Sequence, residues 1–246
     1  MNHPPYVRFA GRKFTCFTTD RKGVYKAMIA APLSMKPGPA QVAVLSEKTS
    51  KPVAVASILV KRKKYPEEHL KVSKKMVNFK PDTLKRVLAD QKAVKKACSG
   101  ETPERYWSAP FIWPVNSRIL SPFGLRRFFN EQPRSPHSGT DMRAREGTPI
   151  KASNRGRIVL ARNCYLSGNT LVIDHGAGLF TLYAHLSKML VHEGEMVKRG
   201  AVIGLAGATG RATGPHLHWG ASLGGSRVDP ESLMKVAGTS TAPGQP

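Results

Sequence analysis

Two histidines, His216 and His218, are separated by one residue, a spacing that can bring two imidazoles into one reactive site. Side chains alternate between the two faces of a β-strand, so both imidazoles project to one side and Leu217 projects into the opposite, apolar layer. Two imidazoles on one face can form a metal site or an acid–base pair. Two histidines can also meet in a strand by chance, and the pair alone leaves both interpretations open.

A second element with suitable residue types is His137 to Asp141. Four residues of a straight strand span roughly 13 Å, too far for both side chains to bind one metal ion. A shared ion therefore requires the chain to bend at Ser138 and Gly139, and glycine makes such a bend easy. Pro136 argues against a helix, in which residues four apart would be neighbours.

A third element is the strand-like run that ends in His185 and Leu186. Alone, such a histidine is most often half-buried and structural. Together the three elements supply the nitrogen and oxygen ligands of a catalytic zinc, a free position for water, and further histidines as bases. The combination is much more specific than any of its parts.

These motifs resemble those of the lysostaphin and LytM type zinc metalloendopeptidases, in the same order along the chain. The resemblance covers roughly Trp107 to Met234. It rests on His137 with Asp141, on the run from Tyr183 to Leu186, and on His216 with His218. Flanking segments also resemble the family: Ser121 to Arg126, Gly168-Asn169, Asp174 to Gly176 and Val197 to Gly200.

The resemblance implies a mainly β chain with a LytM-like antiparallel β catalytic domain, whose groove binds a peptidoglycan stem or bridge. It assigns zinc to His137, Asp141 and His218, and it leaves His185 and His216 as catalytic histidines. None of these five positions departs from the family pattern. An active enzyme is therefore favoured over members that have lost ligands and act as activators.

The implied reaction needs proton transfer as well as a metal. Zinc lowers the pKa of a bound water to about 7 and polarises the scissile carbonyl. The sequence contains no HExxH glutamate, so His185 or His216 must accept the proton or stabilise the oxyanion, and the sequence does not divide these tasks.

Four further residues have weaker assignments. Arg126, Asn169 and Tyr165 are candidates for substrate contacts in the groove. His175 is flanked by a glycine, and we assign it a structural role in a turn that follows a strand.

The rest of the chain predicts four segments. Residues 1–79 alternate apolar stretches with turn residues and predict a small β-sandwich-like domain. Residues 80–106 form a linker whose helix begins near Pro81 and ends near Cys98. The metallopeptidase domain occupies residues 107–235, with strands at Thr170 to Asp174, Leu179 to Ala184 and Val202 to Leu205. Residues 236–246 are expected to be a disordered tail.

The charge balance favours polyanionic partners. Lys and Arg total 39 against 16 Asp and Glu, which gives a net charge of +23. Such a field attracts nucleic acid, anionic membranes or anionic wall polymer. The basic run Lys61 to Lys64 fits a solvated face better than a dedicated binding patch. No zinc-finger spacing or RNP-like strand is present, so no specific nucleic acid is expected beside peptidoglycan and anionic envelope polymers.

Three alternatives to an endopeptidase remain. The first is a zinc-stabilised, non-hydrolytic wall-binding regulator of other hydrolases. The second is a basic nucleic-acid-binding protein. The third is a lipoyl or biotinyl carrier, suggested by Val191 to Gly200, but a carrier needs an exposed modified lysine that this segment lacks.

Cys16, Cys98 and Cys164 are far apart, which favours three separate thiols over one disulfide and a free thiol.

Cellular location follows from weaker signals. No apolar run is long enough to span a membrane. The residues from Met1 to Pro5 lack the basic and apolar parts of a signal peptide, so the expected periplasmic, envelope or secreted location implies a mature, shortened or differently started chain.

Overall fold

The computed structural model describes residues 4–19, 21–71, 79–100, 102–133 and 135–235. The tail predicted at residues 236–246 lies outside these ranges. Across the described ranges, no helix combines the length and apolar character that a membrane span requires.

The described chain is built mainly of short strands. They are β1 (Tyr6–Phe9), β2 (Arg12–Thr18), β3 (Tyr25–Ala27), β4 (Gly38–Leu45), β5 (Pro52–Val60), β6 (Glu67–Leu70), β7 (Ile119–Ser121), β8 (Arg126–Phe129), β9 (Gln132–Pro133), β10 (Gly139–Arg143), β11 (Pro149–Lys151), β12 (Gly156–Cys164), β13 (Gly168–Gly176), β14 (Leu179–Met189), β15 (Met196–Val197), β16 (Val202–Ala206), β17 (His216–Leu223) and β18 (Ser226–Val228). One α-helix, α1 (Pro81–Ala97), precedes β7, and a 3-10 helix covers Pro230–Lys235.

The C-terminal half forms a ten-stranded sheet with the central order β15-β12-β13-β14-β17-β10-β7. Strands β11 and β16 pair with each other, β16 also pairs with β14, and β18 extends from β17. All these pairings are antiparallel. The three strands predicted at residues 170–174, 179–184 and 202–205 are present within β13, β14 and β16. The expected antiparallel β catalytic fold is thus confirmed.

Strand β17 separates the apolar core from the opposite face of the sheet. Leu217, Trp219 and Ala221 are fully buried and belong to the main core cluster. Because side chains alternate along a strand, His216 and His218 lie on the other face, as their spacing predicted.

The N-terminal residues form a five-stranded antiparallel sheet with the order β3-β2-β1-β4-β5. Its apolar face shares the main core cluster, and Phe17 packs edge-on against Trp107 with 5.8 Å between ring centroids. Strand β6 instead pairs in parallel with β8, so residues 67–70 are joined to the C-terminal half. The predicted divisions at residues 79 and 106 stay predictions.

Helix α1 packs on the face of the ten-stranded sheet opposite the main core. Pro81 and Asp82 occupy its first turn, where proline is tolerated and an acidic side chain favours the helix dipole. Val94 contacts a second apolar cluster, whose buried members include Leu182. The Arg162 guanidinium donates to the buried carboxylate of Asp90 at 3.0 Å and fixes the helix against β12.

His175 is structural, as expected, but its predicted location in a turn is wrong because it lies within β13. Its Nδ1 bonds to the Arg155 carbonyl oxygen and its Nε2 to the Thr181 hydroxyl, each at 2.8 Å. Complete burial lowers the pKa of His175 to about 4, so the ring is neutral at pH 7. The three cysteines, Cys16, Cys98 and Cys164, are free and buried, in agreement with the thiol prediction.

Candidate metal centre

Three side chains converge on one point of the outer sheet face. His137 Nε2 lies 3.0 Å from Asp141 Oδ1, His218 Nδ1 lies 2.8 Å from the same oxygen, and the two nitrogens are 3.0 Å apart. The sequence grouped these residues, and the fold brings their ligand atoms together. Within the described ranges, His137, Asp141 and His218 form a group whose ligand atoms lie close enough together to hold one metal ion.

Strand pairing positions two of the three groups. Asp141 on β10 lies directly opposite His218 on β17, and Asp141 also pairs with Ser121 on β7. The sequence predicts a bend at Ser138 and Gly139, but the structure shows a different need for glycine at position 139, which is space for a neighbouring ring. A β-carbon at this position would lie 2.5 Å from the Trp219 carbonyl oxygen and 2.8 Å from the His218 ring. The glycine therefore makes room for the imidazole.

A hydrogen bond orients the His137 ring. His137 Nδ1 lies 3.0 Å from the Pro122 carbonyl oxygen, which can only accept, so this nitrogen carries the proton. His137 Nε2 then directs a lone pair at Asp141 and His218, as a metal ligand must.

The electrostatics of the centre favour a charged carboxylate beside a neutral His218 ring. Burial opposes ionisation of Asp141, but its side-chain contacts with His137 and His218 outweigh the effect of burial and lower the carboxyl pKa below its ordinary value. Burial lowers the pKa of His218 despite its hydrogen bond to Asp141. One carboxylate oxygen and two imidazole nitrogens form the kind of donor set found in catalytic zinc sites.

The separations of the donor atoms also fit a metal. Tetrahedral zinc with bonds of 2.0 to 2.1 Å places its ligands about 3.3 Å apart. The observed 2.8 to 3.0 Å separations are only slightly shorter. Small side-chain shifts would accommodate an ion.

His185 reaches the site through an irregularity in β14. Tyr183 and Leu186 both belong to the main core cluster, whereas strict alternation would place residues three apart on opposite faces. The backbone of His185 has φ of +61°, in the left-handed region, and the extra residue turns its side chain to the outer face. Its Nδ1 donates to the Thr209 carbonyl oxygen at 2.8 Å, which leaves Nε2 unprotonated.

His216 lies beside His185, with ring centroids 4.7 Å apart. Its Nδ1 donates to the Gly214 carbonyl oxygen at 2.9 Å, and its Nε2 lies 3.9 Å from Asp141 Oδ1. Burial is the main cause that lowers the pKa of His185 to about 4. The imidazoles of His185 and His216, each with its Nδ1 bonded to a backbone carbonyl, thus lie beside the three candidate ligands.

These residues lie in a cavity of about 570 Å³ that includes several side chains the sequence did not single out. Arg127 Nη2 lies 3.8 Å from Asp141 Oδ2 and donates to Ser121 Oγ at 3.1 Å. Arg127 also pairs with Glu68 of β6 at 3.0 Å, which connects the N-terminal half to the site. The only sequence signal was the position of Arg127 next to Arg126.

The weaker substrate candidates lie around the cavity but do not line it. Arg126 is exposed and pairs with Glu67 at 2.6 Å. Asn169 donates to the Leu186 carbonyl oxygen and accepts from Asn163, so it supports the strand that carries His185. Tyr165 is 38% exposed at the end of β12 and packs edge-on against Phe79. Their contacts with substrate stay predictions.

Comparison with known proteins links the chain to a peptidase family. Residues 135–230 match the model of peptidase family M23. A Pseudomonas aeruginosa crystal structure assigned to peptidase M23 superposes with a TM-score of 0.75 and 32% identity, over 95% of this chain and 90% of that chain. The chain therefore belongs to peptidase family M23.

Curated relatives match the C-terminal half. Peptidoglycan DD-endopeptidase ShyA of Vibrio cholerae is 49% identical over 110 residues, which are 44% of this chain and 26% of that protein. DD-carboxypeptidase/endopeptidase Mpg of Neisseria meningitidis is 44% identical over 119 residues, which are 48% of this chain and 27% of that protein. The chain thus spans about a quarter of the length of these relatives.

The space at Gly139 gives a direct test of the ligand geometry. We expect Gly139→Ala to displace the His218 ring and to reduce the zinc content of the purified protein at least tenfold, since ligand orientation sets metal affinity. Gly214→Ala is the matched control, because a β-carbon there contacts nothing within 4 Å. Metal analysis that found full zinc content in folded Gly139→Ala would contradict the geometry.

Proposed function

We propose that this chain is a zinc-dependent endopeptidase that hydrolyses peptide cross-links or stem peptides of bacterial peptidoglycan. The observation that carries the proposal is the convergence of His137 Nε2, Asp141 Oδ1 and His218 Nδ1 within 3.0 Å of one another, with two more imidazoles beside them. A site that only stabilises a fold uses a fourth protein ligand and needs no additional bases.

Five residues carry out two tasks, metal binding and proton transfer. His137, Asp141 and His218 hold zinc, which when bound lowers the pKa of a water to about 7 and polarises the scissile carbonyl. The assignment of His218 rather than His216 is supported by the wider separation of His216 Nε2, 3.9 Å from Asp141 Oδ1.

His185 and His216 handle protons and developing charge. Each ring donates from Nδ1 to a backbone carbonyl, so each Nε2 is free to accept a proton. With its pKa lowered to about 4, His185 is neutral at pH 7 and able to act as a base. His216, 4.7 Å from it, then donates a hydrogen bond to the oxyanion whenever it is protonated.

The substrate assignment draws support from the named activities of the relatives. ShyA is a peptidoglycan DD-endopeptidase, and Mpg is a DD-carboxypeptidase/endopeptidase. We therefore assign to this chain directly cross-linked stem peptides, cut at the D-amino-acid cross-link. Such a substrate requires a periplasmic or other envelope location.

The strong positive charge suggests a second role for the surface. A net charge of +23 greatly exceeds what a zinc pocket requires. The basic surface is proposed to hold the enzyme on anionic wall or outer-envelope polymer and to raise its encounter rate with substrate.

Metal analysis and turnover should separate ligands from catalysts. His218→Ala should lose both zinc and activity, because it removes one of three ligands. His216→Ala and His185→Ala should keep close to one zinc per chain while turnover falls roughly 10²- to 10⁴-fold, the usual contribution of a positioned acid or base. A zinc-free His216→Ala beside a zinc-loaded His218→Ala would reverse the assignment.

Products released from isolated sacculi test the reaction itself. Mass spectrometry should find stem-peptide fragments freed from directly cross-linked sacculi, release should stop with a chelator, and zinc should restore it. Binding to sacculi without release would favour the non-hydrolytic regulator. Free glycine oligomers from a glycine-bridged wall, with directly linked sacculi intact, would overturn the bond assignment.

Salt dependence tests the role of the basic surface. The fraction of His218→Ala protein that sediments with sacculi should fall several-fold between low salt and ~0.5 M salt, where screening shortens to a few ångströms. This variant is chosen because it should not digest the wall during the assay. Unchanged sedimentation would exclude electrostatic anchoring.

A further inference from the structure

A second cavity of about 560 Å³ lies next to the cavity at the metal centre. Ser138, Leu166, Ser167 and His218 line both cavities. The two cavities therefore adjoin as two parts of a groove, and a substrate whose scissile bond lies at His218 would extend into the second part.

Helix α1 and the sheet enclose this second part. Val87 and Val94 of α1 lie above it, and Leu182 and Ser222 of the sheet lie below it. The lining is largely apolar here, which suits the backbone and methyl groups of a short peptide.

One charged side chain lies close to the metal centre within this part of the groove. Arg227 on β18 pairs with Ser222 on β17, and its Nη1 would lie 3.8 Å from a β-carbon at Gly220. Gly220 follows His218 by two residues on the same face, a distance of about 7 Å. The guanidinium thus lies about two residues of an extended peptide away from the metal centre.

The side chains that line this part of the groove include more cations than anions. Arg12, Lys95 and Arg227 line the cavity together with a single acid, Asp90. The Asp90 carboxylate already accepts from the Arg162 guanidinium at 3.0 Å and from the Tyr165 backbone at 2.8 Å. Among the described parts of the chain, the Arg227 side chain has neither an ion pair nor a hydrogen bond.

We infer that Arg227 forms an anion-binding subsite that binds a substrate carboxylate about two residues from the scissile bond, with Lys95 and Arg12 further along. The inference rests on the proposed endopeptidase function and specifies its substrate as one with a free carboxylate at that position. A planar guanidinium beside a partly apolar, enclosed wall binds a carboxylate through two parallel hydrogen bonds. Amidation of that carboxylate would remove both the charge and this pairing.

Two synthetic cross-linked stem peptides test the subsite, one with the carboxylates about two residues from the scissile bond free and one with them amidated. For the free peptide, kcat/KM of Arg227→Gln should fall about 10- to 100-fold, the range for a lost charged pair. For the amidated peptide, the variant and the parent protein should agree within about twofold. Arg227→Lys should recover part of the loss, because it keeps the charge without the planar fork.

Arg62→Gln provides a control that removes one exposed arginine from outside both cavities. It should leave the preference for the free peptide unchanged. Equal losses by Arg227→Gln on the free and amidated peptides would show a structural role and overturn the subsite.

Binding to the metal-free protein separates this inference from the proposed reaction. Calorimetry should show that the free peptide binds at least tenfold more tightly than the amidated one, and that Arg227→Gln abolishes this difference. If the protein cleaves nothing but keeps the difference, the reaction fails and the subsite holds. If it cleaves sacculi with no difference between the peptides in binding or kcat/KM, the reaction holds and the subsite is wrong.

Discussion

The antiparallel register between β10 and β17 is the constraint on which the site depends. It places Asp141 directly opposite His218 and Met142 opposite Leu217. Because side chains alternate, a slip of one residue in β17 would bury the imidazoles and expose Leu217. The fully buried Leu217 and Trp219 therefore maintain the candidate metal centre through their packing in the core.

A second constraint is the break in alternation at His185. The left-handed backbone there costs about 1 to 3 kcal/mol for a residue other than glycine. Hydrogen bonds from its backbone N–H to Ser167 and from its ring to Thr209 hold the conformation. The core on either side stays intact while one imidazole is directed outward. The irregularity thus supplies a potential base without interrupting the sheet.

Regions outside the matched family segment also build the groove. Residues 135–230 contain the three ligand groups, but Arg127 with its partner Glu68, helix α1 and Arg12 lie before them. These regions contribute a carboxylate-orienting arginine, an apolar wall and positive charge. The N-terminal half is therefore part of the environment of the site, whatever other role it has.

Local periodicity and residue type in the sequence were enough to predict several features. The shared face of His216 and His218, the strands within β13, β14 and β16 and the helix from Pro81 all follow from patterns a few residues long. The mainly β class followed from the family resemblance. The grouping of His137 with His218 rested on residue types together with the family resemblance, since the two are 81 positions apart. Only the tertiary structure decided the roles of Gly139 and Arg127 and the outward turn of His185, because they arise from strand register, a bulge and contacts between distant segments, none of which leaves a periodic signal in the chain.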